Sequence, residues 1–286
     1  MTTKKIPTEP SISDIKTWLF VPATKTALIL KAFASGAHAI IVDLEDTVAL
    51  EDKAQARKAL LEYLCEGNKN LSPVWLRINQ ANSAEFTKDI ALCRQLPHLA
   101  GILLAKAEQR IDIEQAHRAT WLPIIALIES ALGLYQIDNL AQATGLASFS
   151  YGFLDLCNDL GVQVNTPAAD IVANQLRYQL ILTSKVHQLA APIDTIYPDF
   201  NDNEGLSQRV RLWSQMGMSG MLCIHPKQIE VVHKALQPIE SEIDFATQVI
   251  AEYERSGEAV FKVAGQMIDA PVIQRCYELL GQKSAQ

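Results

Sequence analysis

Trp121-Leu-Pro-Ile-Ile-Ala-Leu-Ile-Glu129 and Leu146-Ala-Ser-Phe-Ser-Tyr-Gly-Phe-Leu-Asp155 are two apolar runs that each deliver an acid. The first is rich in Ile, and apolar runs of this length, bounded by turn residues, read as buried strands. A carboxylate at the end of a buried strand is unfavourable unless something pairs with it. Two such acids at successive strand ends would face each other across a barrel mouth or a sheet crevice. Glu129 and Asp155 offer oxygen ligands with no His or Cys partner nearby, a donor set that suits Mg2+ rather than Zn2+ or copper.

The same pattern repeats outward in both directions. Apolar runs centred near residues 20, 41, 75, 103, 125, 148, 194 and 222 alternate with helical patterns over 27–35, 51–65, 83–96, 111–119, 130–143, 168–189, 204–216 and 227–236. The runs are apolar throughout rather than alternating, as expected for parallel strands covered on both faces. Eight strand–helix units predict a (β/α)8 TIM barrel, with a doubly wound open sheet as the alternative. Residues 1–16, polar and holding Pro7 and Pro10, read as a flexible lead and 17–238 as the barrel. Residues 239–286 read as a C-terminal helical extension, with helices over 243–254 and 271–280.

The 286 residues, half apolar and one-fifth charged, fit a soluble enzyme rather than a disordered or fibrous chain. A net charge of −7 disfavours nucleic acid or an anionic membrane as partner, since both require a basic face. No apolar run is long enough to span a bilayer. The cysteines Cys65, Cys93, Cys157, Cys223 and Cys276 are scattered, odd in number and without a C-x-x-C pair. They read as free thiols of a cytoplasmic protein.

In a barrel, reactive groups gather at the C-terminal ends of the strands. Those positions hold Glu45 and Asp46, Arg77 and Asn79, Lys106, Glu129, Asp155, Asp199 and His225. Arg77 offers a planar fork suited to a substrate carboxylate. Each residue also has a plainer reading. Asp43, Glu45 and Asp46 could form a turn that caps the next helix, and Arg77 could be a structural partner for one of them. Glu129 and Asp155 could be first-turn acids stabilised by a helix dipole. Lys106 could be a rim charge, and His225 could serve only a loop.

Taken together, Leu19-Phe-Val-Pro22, Ile41-Val-Asp-Leu-Glu-Asp-Thr-Val48, Leu76-Arg-Ile-Asn79, Ile125-Ala-Leu-Ile-Glu129 and Ser150-Tyr-Gly-Phe-Leu-Asp-Leu156 form one ordered set. It continues with Ile196-Tyr-Pro-Asp-Phe200, Leu222-Cys-Ile-His-Pro-Lys-Gln-Ile229 and Met267-Ile-Asp-Ala-Pro-Val272. The set resembles the citrate lyase β-subunit-like family, which includes malyl-CoA and citramalyl-CoA lyases. The resemblance runs in register from Leu19 to Leu280. It implies a (β/α)8 barrel and a Mg2+-dependent carbon–carbon lyase, a homo-oligomer of trimer or hexamer type.

By position, the resemblance makes Glu129 and Asp155 the metal ligands and Arg77 the holder of a small keto acid. Glu45 and Asp46 become acids lining the pocket, and Asp269 an acid that reaches a neighbouring subunit's site. Two departures stand out. Pro22-Ala-Thr-Lys25 places Ala23 and Lys25 where relatives carry Gly and Arg, so Lys25 is the substrate-binding candidate there. Ala131-Leu132-Gly133 lacks the arginine that follows the metal glutamate.

The activity this implies is cleavage or formation of a 3-hydroxyacyl-CoA such as citramalyl-CoA or malyl-CoA, giving an acyl-CoA plus a 2-oxo acid or glyoxylate. Alternatives are a CoA-free 4-hydroxy-2-oxo acid aldolase, a malyl-CoA thioesterase, and a non-catalytic metabolite-binding lyase subunit. The expected partners are a small acyl-CoA or 2-oxo acid and further copies of the chain, with no nucleic acid or membrane.

Overall fold

Every apolar run near the expected centres is a strand in the computed structural model, which describes residues 11–67, 73–96 and 98–281. The strands are β1 (Thr17–Pro22), β2 (Ala39–Asp43), β3 (Val74–Ile78), β4 (Leu99–Leu104), β5 (Ile124–Ile128), β6 (Leu146–Tyr151), β7 (Ile193–Asp194) and β8 (Gly220–Cys223). They form one sheet in the order β6-β5-β4-β3-β2-β1-β8-β7, with every paired neighbour parallel. Parallel neighbours require crossovers, and helices between the strands provide them.

Helices α1 (Leu28–Ala34), α2 (Lys53–Glu62), α3 (Phe86–Cys93), α4 (Arg110–Thr120), α5 (Ala131–Tyr135), α6 (Ile137–Leu140), α7 (Phe153–Leu160), α8 (Pro167–Val186), α9 (Asn203–Met216) and α10 (Lys227–Ala235) fill the connections. The result is a nearly closed (β/α)8 barrel.

The closing seam lies between β6 and β7, where side chains take over from the backbone ladder. Ser148 Oγ donates to the carbonyl of Ala191 (3.1 Å) and Ser150 Oγ to that of Ile193 (2.9 Å). The Tyr151 hydroxyl donates to Asp194, and Arg177 Nε donates to the same carboxylate at 2.8 Å. All four of these side chains are buried. A buried carboxylate is tolerable only when its oxygens are satisfied, and this cluster satisfies Asp194. The strand expected near residue 194 is therefore only Ile193–Asp194, because on its β6 side hydroxyls rather than peptide N–H groups meet its acceptors.

Inside the barrel Trp18, Ile41, Trp75, Leu103, Ile125, Leu127, Ile193 and Leu222 pack as one cluster. The Trp18 and Trp75 rings meet edge to face with centroids 5.2 Å apart. Filling of this kind makes the interior a core rather than a pore, so a ligand can enter only at the rim.

Three expectations need correction. Residues 1–10 of the predicted flexible lead lie outside the described residues. Residues 11–16, however, hold a 3-10 turn (Ile12–Asp14), and Ile15 is buried against Trp18, whose indole donates to its carbonyl. The helix over 83–96 shortens to Phe86–Cys93, because Ser83 Oγ accepts from the Glu85 N–H and forms a local turn instead of capping. The single helix over 130–143 is split into α5 and α6 at Gln136.

Residues through His233 form one compact unit and those from Lys234 a second. In the second, α11 (Glu240–Ser256) and α12 (Ala270–Leu279) flank a hairpin of β9 (Phe261–Val263) and β10 (Gln266–Ile268). Its turn, Ala264-Gly265, has positive φ at both positions, the twist that a two-residue hairpin favours. Val249, Phe261, Ile268, Ile273 and Tyr277 supply a separate core.

Candidate active site

The site begins with strand register. Asp43 ends β2 directly opposite Arg77 on β3. This neighbourhood lets Arg77 grip Asp43 with two parallel bonds, Nε to Oδ1 at 2.6 Å and Nη2 to Oδ2 at 2.7 Å. Asp43 is fully buried and Arg77 is 8% exposed. Burial by itself would raise the Asp43 pKa; the Arg77 bonds outweigh it and hold the carboxyl below its usual range. Arg77 is raised in turn, its acid neighbours overcoming its own burial, and its guanidinium lies over the Phe20 ring at 4.8 Å.

The turn after β2 carries the next acids. Asp43 accepts from the N–H groups of Glu45 (3.0 Å) and Thr47 (3.2 Å), and this coiled turn points Glu45 and Asp46 at the remaining edge of Arg77. Nη1 lies 3.2 Å from both Glu45 Oε2 and Asp46 Oδ2. The fork expected to hold a substrate is thus already fixed on Asp43, and only the Nη1 edge, shared with half-exposed Asp46, faces outward.

Glu129 follows β5 and is 6% exposed. Ile128 lies opposite Tyr151 in the β5–β6 register, so the next residue on each strand, Glu129 and Gly152, come side by side. A Cβ at Gly152 would collide with Glu129 Oε1 and stand 2.9 Å from its Cγ. Glycine is needed there for space. Burial pushes the Glu129 carboxyl up, against the pull of Arg77.

Lys106 unites the set. It sits in a left-handed conformation (φ 47°) after β4, unusual for a residue with a Cβ. Its N–H donates to Glu129 Oε2 at 2.9 Å. Its ammonium lies 3.2 Å from Glu45 Oε1 and 3.1 Å from Asp155 Oδ2. Burial lowers an ammonium's pKa, but Glu45, Asp155 and Glu129 together raise that of Lys106. Asp155, in the first turn of α7, is half exposed.

Asp43, Glu45, Asp46, Glu129 and Asp155 therefore converge on Arg77 and Lys106, an excess of carboxylate over cation. The strain shows at Glu45: burial first, then Asp46 and Glu129, push it up to about 7 despite Arg77. A hard divalent cation suits such a set, being held by oxygens and relieving their repulsion. Beside the acids lies a cavity of about 190 Å³ walled by Phe20, Leu127, Tyr151, Phe153, Ile196 and Leu222, with Thr195 as a polar point.

Arg77, Glu45, Asp46, Glu129 and Asp155 are thus brought to one mouth. Lys25, in the turn Ala23–Lys25, is exposed and outside the cavity wall. Asp269 is exposed in the second unit, where its Oδ1 caps α12 by accepting from the Val272 N–H at 3.4 Å. Leu132 is half exposed on α5. Asp199 accepts from the Asn201 N–H, and His225 accepts from Lys227 N–H while stacking on Phe200 with centroids 4.6 Å apart. Both serve their own loops.

Reading the sequence overlooked the bidentate role of Asp43, the hub at Lys106 and the Arg177–Asp194–Tyr151 seam. An acid inside an otherwise apolar strand, as in Ile193-Asp-Thr, was the available signal for Asp194.

Residues 16–226 match the HpcH/HpaI aldolase/citrate lyase family. A citrate lyase subunit beta-like protein of Mycobacterium tuberculosis is 32% identical over 267 residues, covering 92% of this chain and 93% of that protein. A (3S)-malyl-CoA thioesterase of Cereibacter sphaeroides is 30% identical over 256 residues, 88% of each. The crystal structure of CitE from Mycobacterium tuberculosis, in complex with magnesium, acetoacetate and coenzyme A, superposes with a TM-score of 0.84. That structure is 30% identical in sequence, with 94% of this chain and 98% of that one covered. A family match over residues 16–226, a relative 32% identical across 92% of the chain and a barrel that superposes with a TM-score of 0.84 lead to one conclusion: the chain belongs to the HpcH/HpaI aldolase/citrate lyase family.

Proposed function

We propose that the protein is a Mg2+-dependent carbon–carbon lyase that cleaves or forms a 3-hydroxyacyl-CoA of the malyl-CoA or citramalyl-CoA type. The products of cleavage are an acyl-CoA and glyoxylate or a 2-oxo acid. The observation that carries this reading is the excess of buried carboxylate at the mouth beside an apolar cavity. Relatives whose structures hold magnesium with acetoacetate and coenzyme A, or with oxaloacetate, support the ligand class.

Glu129 and Asp155 would hold Mg2+, which supplies Lewis acidity at the oxygen that becomes a carbonyl. Cleavage removes the 3-hydroxyl proton, breaks the C2–C3 bond and leaves the electron pair on the thioester enolate, which a proton then quenches. Glu45, titrating near neutrality, is suited to take the hydroxyl proton. The Nη1 edge of Arg77 orients the substrate carboxylate, which takes the place of Asp46 there. Lys106 holds Glu45 and Asp155 in place and its N–H holds Glu129. Asp269 of a neighbouring copy is the proposed proton donor to the enolate. On the same reading the chain works as a cytoplasmic homo-oligomer, a trimer or hexamer, whose residues 239–286 complete a neighbour's site.

A second reading, the CoA-free aldolase, is favoured by Leu132 and Lys25 standing where the family resemblance leads one to expect arginine. A third is a thioesterase, as one relative is named. Three incubations with Mg2+ and mass-spectrometric detection separate them: acetyl-CoA or propionyl-CoA with glyoxylate or pyruvate, pyruvate with glyoxylate and no CoA ester, and malyl-CoA alone. A 3-hydroxyacyl-CoA product that disappears in Glu129→Gln and Asp155→Asn supports the lyase. Condensation without CoA establishes the aldolase, and release of free CoA without carbon–carbon chemistry the thioesterase. Full turnover in both variants would overturn the site.

A further inference from the structure

Lys53 is a buried cation that the proposed reaction does not use. It lies at the start of α2 and is 7% exposed. Its ammonium donates to the carbonyls of Leu44 (2.7 Å) and Glu45 (2.8 Å) and to Asn79 Oδ1 (2.8 Å). An ammonium has three N–H donors, and here each meets a neutral acceptor. No carboxylate is paired with it among the described residues. Burying a charge without an ionic partner is unfavourable, so the fold would drop such a group unless the oxygens it gathers matter.

Those oxygens belong to the turn that carries Glu45 and Asp46. On its other side the same turn is tied through its N–H groups: Leu44 to the Arg77 carbonyl (3.0 Å), Glu45 and Thr47 to Asp43. Carbonyls face Lys53, and amides face the Arg77 carbonyl and the Asp43 carboxylate. Asn79 extends the clamp, because its Nδ2 donates to the Leu44 carbonyl (3.2 Å) and to Asp89 (2.6 Å), which Arg57 holds at 2.8 Å.

We propose that Lys53 is the positioning residue of this site: it fixes the peptide planes of Leu44 and Glu45 so that the Glu45 carboxylate stays between Arg77 and Lys106. It touches no substrate. Its catalytic consequence rests on the lyase reading above; the clamp itself does not.

The test compares the full-length wild type with Lys53→Met, which keeps the chain length and removes the three donors. Lys53→Gln, with one amide donor group, serves if the first does not fold, and Leu60→Ala is a control that weakens the buried face of the same helix away from the turn. Hydrogen exchange read on a peptide spanning residues 41–49 should quicken at least tenfold in the Lys53 variants and stay unchanged in Leu60→Ala. Lyase kcat should fall by about 10- to 100-fold, the range for supporting groups around a reactive centre, while KM changes by less than about threefold. Propylammonium added to Lys53→Ala should restore turnover saturably where sodium chloride does not. A folded Lys53 variant whose 41–49 exchange matches the wild type overturns the clamp. Altered exchange with undiminished kcat overturns its catalytic role. A wild type without lyase turnover sinks the lyase reading and leaves the exchange result to decide the clamp.

Discussion

Replacing Arg77 by Met leaves Asp43 fully buried, opposite an apolar side chain, with only the Glu45 and Thr47 N–H groups on its oxygens. The carboxylate can stay charged or take a proton. Protonating a carboxyl of ordinary pKa about 3.9 at pH 7 costs roughly 4 kcal/mol, which sets a ceiling. Breaking a buried pair by removing one partner costs about 3–5 kcal/mol, in the same range. The surviving amide bonds soften this, so we expect a loss of about 3 kcal/mol at pH 7.

The sign with pH follows from both proteins. In the wild type Asp43 is depressed, so its stabilisation is present above the unfolded pKa and is lost as pH falls through the folded value. In the variant Asp43 is raised, so its penalty is present above the unfolded pKa and relaxes on acidification. Both pH 7 and pH 4.5 lie above the unfolded pKa of about 3.9, so the wild-type contribution persists at each and only the relaxing penalty of the variant narrows the gap. At pH 4.5 protonation costs about 1 kcal/mol, and the difference should fall to near that. Urea denaturation of both full-length chains at the two pH values, followed by tryptophan fluorescence of the barrel core, measures it. A gap under about 1 kcal/mol at pH 7, or one equally large at pH 4.5, would refute the idea that Arg77 chiefly neutralises Asp43.

Two further outcomes follow from the geometry. Glu45 is raised to about 7 mainly by burial, so its charge opposes folding above the unfolded pKa and is relieved as pH falls through 7. Glu45→Gln should therefore be more stable than wild type at pH 8 and no more stable at pH 5 in thermal melts; a constant difference would contradict the assignment. Gly152→Ala forces the added methyl against the Glu129 carboxylate and should weaken Mg2+ binding, read by calorimetry, by at least about tenfold. Unchanged affinity in that variant would mean that Glu129 does not hold the ion.

The division between what could be read early and what could not is physical. Eight apolar runs ending in polar residues are a local pattern, and burial on both faces of a parallel strand is what makes it visible. That pattern was enough for the barrel, for the strand-end positions of Glu45, Asp46, Arg77, Glu129 and Asp155, and for the alternative that Arg77 has a structural partner. Helix ends such as Phe86, and the break between α5 and α6, were not legible because local hydrogen bonds from Ser83 and the packing of neighbours decide them. Pairing between distant residues was out of reach for the same reason. That Asp43 rather than a ligand occupies the Arg77 fork depends on the β2–β3 register, and that Lys106 reaches three acids depends on a left-handed turn after β4. Lys53 falls within the helical pattern over 51–65, and only the fold sets its ammonium under the carbonyls of Leu44 and Glu45. Sequence alone thus determined which chemical groups stand at the barrel mouth, because strand periodicity places them there. Only tertiary structure decided which of them neutralise one another and which remain for a cation or substrate, because charge pairing is settled by distance across strands rather than along the chain.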